Sequence, residues 1–486
     1  MSSRMKVMLT VSILAVSVTS ILPGSPAAGV EIGERKQLFI DDHAVESTRG
    51  VTRRLNRLER HPGNPVLVGD RPWERWLISP NGRAVLFDRE TGEFKMWYMA
   101  SHMEEGAPGG FRYKVAYAVS KDGADWSKPN LGQVDWEGSS DNNLIPRGVN
   151  WMRRANVIKD LHDPDPQRRF KMTYVDVFDG QPAITKAYSA DGVHWNLNGD
   201  GKPWFRRPHN GNLLGWDPRI RRYVFYVRMR AAQNTVGRAV SPDFVTWSEP
   251  ETVMAPATDE PDLHFKGLAA FLYEDLYLGW LWVFQRGTTE FVAAAAELAV
   301  SRDGVHWSRP FPGSFVLERG EDPAWDSKLS IPVAPVVHGE RIWCYYWGEN
   351  MPYTVDAIRK VKEGWVRDGR RIQRATGLAT LRLDGFVSLT APGEGSVTTR
   401  LLKTRGGRLT VNARVGGDLR AEILDQDGNV IPGYGARQCN PVRGDSLRHA
   451  VTWGSGADLV PRREAGLRIR FHLRDTDLYA FQVKSD

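Results

Sequence analysis

Two cysteines in 486 residues leave no room for a disulfide framework. Cys344 lies inside an aromatic run and Cys439 far downstream of it, so both read as buried thiols. After residue 22 no apolar run is long enough to cross a bilayer as a helix, and the processed chain is expected to be soluble. Massed charge is missing too. The net charge of +7 is scattered as pairs such as Arg53-Arg54, Arg153-Arg154 and Arg221-Arg222, which argues against a dedicated nucleic-acid surface. It leaves a modest pull towards an acidic polysaccharide. No tight His/carboxylate spacing suits a metal, so neither metal nor cofactor is expected.

At the N-terminus, Arg4 and Lys6 precede an apolar run over residues 7–22, and Ser25-Pro26-Ala27-Ala28 offers small residues for cleavage. This is the layout of a secretory signal, so residues 1–28 are expected to be removed and the protein to be secreted or periplasmic.

One phrase then occurs four times. Ser120-Lys121-Asp122-Gly123-Ala124-Asp125-Trp126 returns from Ser189 to Trp195, from Ser241 to Trp247 and from Ser301 to Trp307, at steps of 69, 52 and 60 residues. Self-similarity at that period marks a repeat architecture. Each copy follows a short apolar strand, and the Asp-Gly, present in all but the third, where Phe244 follows Asp243, supplies the positive φ and local hydrogen bonds of a tight turn. The Trp opens the returning strand, where its ring can pack between neighbouring units. Pairs of apolar runs precede each phrase, at 83–87 and 94–99, 155–158 and 170–175, 212–216 and 223–227, and 267–272 and 277–283. A fifth unit is visible in 331–337, 341–347 and 377–383, closing on Asp384-Gly385. Five such units predict an all-β chain with a five-bladed β-propeller over residues 29–390. A strand from the region 37–65 is expected to complete the last blade. Beyond 391 the alternation over 408–413, 419–424, 467–473 and 478–483 predicts a small C-terminal β-sandwich, an accessory domain over residues 391–486.

Five blades, four of them bearing this phrase, between a signal segment and a sandwich, resemble the glycoside hydrolases of families 32, 43 and 68, over about residues 37–486. The family 32 Asn-Asp-Pro-Asn-Gly signature is absent, and Asp217-Pro218 follows Trp216 where that family has an Arg, so the resemblance is to a divergent branch. It implies a secreted enzyme that cleaves a poly- or oligosaccharide in the propeller funnel.

Glycoside hydrolysis needs two carboxyl groups, about 5 Å apart for retention and roughly 6.5–9.5 Å for inversion. In a propeller, acids just before an inner strand or just after the second strand can reach the funnel mouth. Asp262 and Asp326 stand before the inner strands of adjacent blades and are the expected catalytic pair; Glu349 ends a second strand and is the next candidate, with Glu104. His209, His264, Arg154, Arg228, Trp325 and Glu104 are expected to contact the sugar. Trp73, Trp76, Trp151 and Trp204 are further loop tryptophans able to stack on a sugar face. The alternatives are a non-catalytic carbohydrate-binding propeller and a glycoside phosphorylase that uses funnel arginines for phosphate.

Overall fold

The computed structural model describes residues 29–104, 111–146, 152–197, 202–206, 210–285, 294–351, 366–367, 370–371, 373–454, 459–460 and 466–485. The expected signal segment, Trp151 and His209 lie outside them.

The chain is all-β, with five propeller blades and a C-terminal sheet structure folded beside them. In the second blade, Arg153–Lys159, Phe170–Phe178, Gln181–Ser189 and Phe205–Arg206 pair in that order. The third and fourth follow the same meander, from Gly211–Asp217 to Glu251–Met254 and from Leu263–Tyr273 to Trp307–Ser308. In the first and fifth blades the inner strand is split. Leu77–Ser79 and Val85–Asp88 both pair with Glu93–Met103, and Leu329–Pro332 and Val336–His338 both pair with Arg341–Glu349.

Glu59–Arg60 pairs with Arg374–Arg382 as the outer strand of the fifth blade, so an N-terminal segment closes the ring. The stretch just before it goes elsewhere: Gln37–Leu38, Val45–Arg49 and Thr52–Leu55 join the C-terminal sheet. Val387–Thr399 runs through the 390/391 junction and carries that sheet.

Sequence alternation reads 408–413 and 419–424 as two strands, but they are the halves of one strand, Gly407–Leu424. The register shifts between Val415 and Asp418, at Gly416-Gly417, which marks a bulge within the strand. The long strands pack around a core that includes Phe39, Val397, Leu419, Ile469 and Phe471.

The repeated phrase is a turn. In the first copy the Ser120 hydroxyl accepts from Gly123 N–H at 2.8 Å, Asp122 Oδ1 accepts from Ala124 and Asp125 N–H at 2.9 Å, and Trp126 Nε1 donates to Gly123 O at 3.2 Å. The Gly carbonyl also receives a donor from the preceding blade: Tyr345 for Gly123, Trp97 for Gly192 and Tyr226 for Gly304, at 2.7–2.8 Å. The turn is therefore an inter-blade joint, and Gly is required at φ +83 in Gly192, where a Cβ would stand 2.9 Å from Trp97.

At the axis, the segment between the split halves of the first blade leaves its sheet and closes the channel. Gly82 O accepts from Ala334 N–H and Arg83 O from Val157 N–H, both at 2.7 Å. Gly82 has φ +49, and a Cβ there would lie 1.9 Å from Asn156 Oδ1. The propeller thus holds a cup with a floor.

Candidate active site

Above that floor lies a cavity of about 280 Å³ to which every blade contributes. Trp76, Asn81, Phe111 and Tyr113 come from the first blade, Arg153 and Arg154 from the second, Asn210 from the third, Lys266 and Trp282 from the fourth, and Trp347, Glu349 and Arg374 from the fifth. Glu349 is the one carboxylate lining it among the described residues.

Glu349 ends the second strand of its blade and pairs in register with Arg374 across the sheet. Arg374 Nη2 donates to Glu349 Oε1 at 2.7 Å, and the guanidinium lies 4.0 Å from the centre of the Trp76 ring. Glu349 is 1% exposed, and its Oε2 has no hydrogen-bond partner among the described residues.

Two bulges turn cations inward. The register of the fourth blade shifts between Phe265 and Gly267, which leaves Lys266 as the extra residue and aims it into the cavity, 4.9 Å from the Trp347 ring centre. Gly267 is small because Trp282 occupies the space next to it, 3.0 Å from where a Cβ would be. Burial pulls the Lys266 ammonium down to about 7; repulsion from Arg154 and Arg228 adds to this and Glu349 opposes it. In the second blade the shift falls between Arg153 and Asn156, and Arg154 takes φ +58, a left-handed conformation that costs a non-glycine residue on the order of 1 kcal/mol. Arg154 donates to Asn210 Oδ1, and Asn210 Nδ2 donates to Lys266 O at 2.8 Å, so the second, third and fourth blades are tied across the wall.

Of the residues expected from sequence, Glu349 and Arg154 line the cavity, and Arg228 acts on Lys266 electrostatically. Asp262 and Asp326 do not line it. Asp262 is exposed in the turn that precedes its strand. Asp326 is 2% exposed but faces Arg60 Nε and Tyr346 OH, both at 2.9 Å, so its charge is spent on the strand that closes the ring. Trp325 stacks on Tyr346, with ring centres 5.7 Å apart. His264 accepts from Asn234 N–H at 3.2 Å and stacks on Phe284, and Glu104 pairs with Arg112 and His102. Sequence reasoning missed Lys266 and Arg374. The available signal for Lys266 was a lone charge before Gly267 in an otherwise apolar inner strand.

Among the described residues no group of three or more His, Cys, Asp or Glu is placed to hold a metal ion. Chemically, the cavity offers one dehydrated carboxylate, several cations and aromatic walls of the kind that take sugar faces.

No protein-family model and no curated protein matches the sequence. Solved structures are similar at low scores. The β-1,2-mannobiose phosphorylase from Listeria innocua, in complex with β-1,2-mannobiose, is 12% identical over 67% of this chain and 97% of its own, with a TM-score of 0.47. A glycosyl hydrolase from Bacteroides ovatus is 14% identical over 68% and 94%, at 0.45. A putative glycoside hydrolase from Parabacteroides distasonis is 15% identical over 68% and 98%, also at 0.45. The five blades themselves are counted from the hydrogen-bonded sheets of this chain.

Proposed function

We propose that the protein is a secreted or periplasmic carbohydrate-active enzyme that cleaves a glycosidic bond of an acidic poly- or oligosaccharide inside the funnel. The observation that carries this reading is Glu349, a dehydrated carboxylate in a cavity walled by Trp76, Phe111, Tyr113, Trp282 and Trp347. Arg374 Nη2 holds Glu349 Oε1 at 2.7 Å, which orients the carboxyl group for acid/base work on a bound glycosidic bond. Arg153, Arg154 and Lys266 line the same cavity and fit an anionic group on the sugar.

A second reading, phosphorolysis, is favoured by the same cations: inorganic phosphate would replace the water or carboxylate nucleophile, and one protein carboxyl group, Glu349 giving its proton to the leaving oxygen, would then suffice. The test is a panel of neutral and acidic oligosaccharides incubated with wild type and Glu349→Gln, with and without phosphate, products being separated by chromatography. Cleavage of an acidic member, lost in the variant and independent of phosphate, is expected. Cleavage that requires phosphate makes the protein a phosphorylase. Binding without any cleavage makes it a non-catalytic propeller.

A further inference from the structure

The inner strands have a second set of ends. On the face opposite the funnel mouth, the closing residues of the first three inner strands surround an open cleft of about 520 Å³. Its carboxylates are already matched with cations. Asp88 receives Lys95 at 2.8 Å and Lys159 at 2.6 Å, Glu90 receives Lys159 at 2.7 Å, and Asp160 receives Lys171 at 2.7 Å. Two guanidiniums in the cleft, Arg83 and Arg89, have no carboxylate partner among the described residues. Arg83 stands at the back of the channel floor, where its Nε donates to Leu213 O at 3.2 Å. A desolvated charge without a counter-charge is costly, and a site keeps one where a ligand supplies the opposite sign. Burial alone lowers the Arg83 guanidinium to about 10.

The remaining walls are apolar apart from His162, whose ring stacks on Trp216 with centres 3.7 Å apart. Phe87 and Trp216 line the cleft, and Leu161, 69% exposed, stands at its rim. A bare inorganic ion gains nothing from such walls, whereas a sugar ring carrying a carboxylate uses both features. We propose that this cleft is a second glycan site, in which Arg83 and Arg89 hold the carboxylate of a uronic acid residue while Leu161 and the stacked His162 and Trp216 bound the ring. The site is separate from the funnel: Asn81 lines the funnel, Arg83 lines the cleft, and Gly82 lies between them in the floor.

The experiment is calorimetric titration of the full chain with a glucuronate trisaccharide, a glucose trisaccharide of the same linkage, and inorganic phosphate. Three variants are compared: Leu161→Glu, which sets a like charge at the rim without touching the core; Arg83→Gln; and Lys266→Met, which alters only the funnel. Glucuronate binding at the cleft is expected to weaken at least about tenfold in Leu161→Glu, by like-charge repulsion, and in Arg83→Gln, by the loss of a charge-assisted bond, and to survive in Lys266→Met. Leu161→Glu is expected to keep the wild-type melting temperature, so it carries the test if Arg83→Gln folds poorly. Binding unchanged in Leu161→Glu overturns the proposal, as does equal affinity for the glucose trisaccharide or for phosphate alone. Binding lost only in Lys266→Met overturns the cleft and leaves the funnel reading standing.

Discussion

In the outer part of the blades, Ser120, Ser189, Ser241 and Ser301 open the same turn four times, with the same Asp bonds two and three residues on. In the funnel no such repeat holds, and the blades give Asn81, Arg154, Asn210, Lys266 and Glu349 in turn. The turns are made by contacts within a few residues, plus one donor from the neighbouring blade. The wall is made by bulges, a left-handed arginine and a cross-strand ion pair. Repetition therefore marks the packing of the ring, and a residue used once, in a conformation that costs energy, marks where chemistry is concentrated.

The sharpest way to break that comparison is to set Glu349 against Asp326, two buried carboxylates of the same blade. Glu349→Gln keeps the shape and the bond from Arg374, and turnover is expected to fall at least about a hundredfold while the melting temperature moves little. Asp326→Asn instead leaves Arg60 without its counter-charge, which costs up to about 3–5 kcal/mol for a buried pair and less here because Arg60 is partly exposed. Folded molecules of Asp326→Asn are expected to retain turnover. If Asp326→Asn loses turnover at unchanged stability, the chemistry lies outside the cavity.

The turns give the opposite split. Gly192→Val or Gly304→Val forces a β-branched residue to positive φ, with its Cβ 2.8–2.9 Å from a ring of a packed aromatic. A loss of at least about 1–3 kcal/mol is expected in thermal or urea unfolding. Activity at a permissive temperature should survive, and its loss at full stability would place these turns in the site.

The same contrast explains what was legible in the sequence. The five blades could be read because Ser-x-Asp-Gly and Trp act locally, so their spacing is their structure. Blade three even replaces the Gly with Phe244, at φ +66, and the turn persists because Asp243 still receives Val245 and Thr246 N–H. The wall could not be read in the same way. Lys266 points inward because of a bulge beside Gly267, where Trp282 and Asn212 leave no space for a side chain, and Arg374 meets Glu349 only through strand register. Asp326 precedes an inner strand as a funnel acid would, yet its partner Arg60 lies 266 residues away on the closing strand.

Lys266 offers a finer probe of the wall. The charged groups around it are Arg154, Arg228 and Glu349, with Arg153 and Arg374 in the same cavity. Its cationic form is lost as pH rises through about 7. The KM for an acidic substrate is therefore expected to rise several-fold, at most about tenfold per pH unit, between about pH 6 and pH 8.5, with little change for a neutral analogue. Lys266→Met should flatten this profile. A profile that persists in Lys266→Met assigns the titration to another group.

The smallest expected effect belongs to the turns and separates them from the wall by acid. Burial acts to raise the Asp191 carboxyl, but the His194 ring and the N–H groups of His194 and Val193 outweigh it and hold the group at about 2. Asp303 is likewise lowered, by His306 and its own turn, against the effect of burial. A folded-state value below the unfolded one means stability that is present above about pH 4 and is lost as pH falls towards about 2. Both side chains are half exposed, so solvent screening leaves on the order of 0.5 kcal/mol for each. Differential scanning from about pH 5 to pH 2.5 should therefore show a wild-type melting temperature that falls more steeply than that of an Asp191→Asn, Asp303→Asn double variant. Equal slopes would mean that the turn carboxylates titrate alike in the folded and unfolded chain, and that the hydrogen bonds of the turn, rather than its charge, hold the blades at these joints.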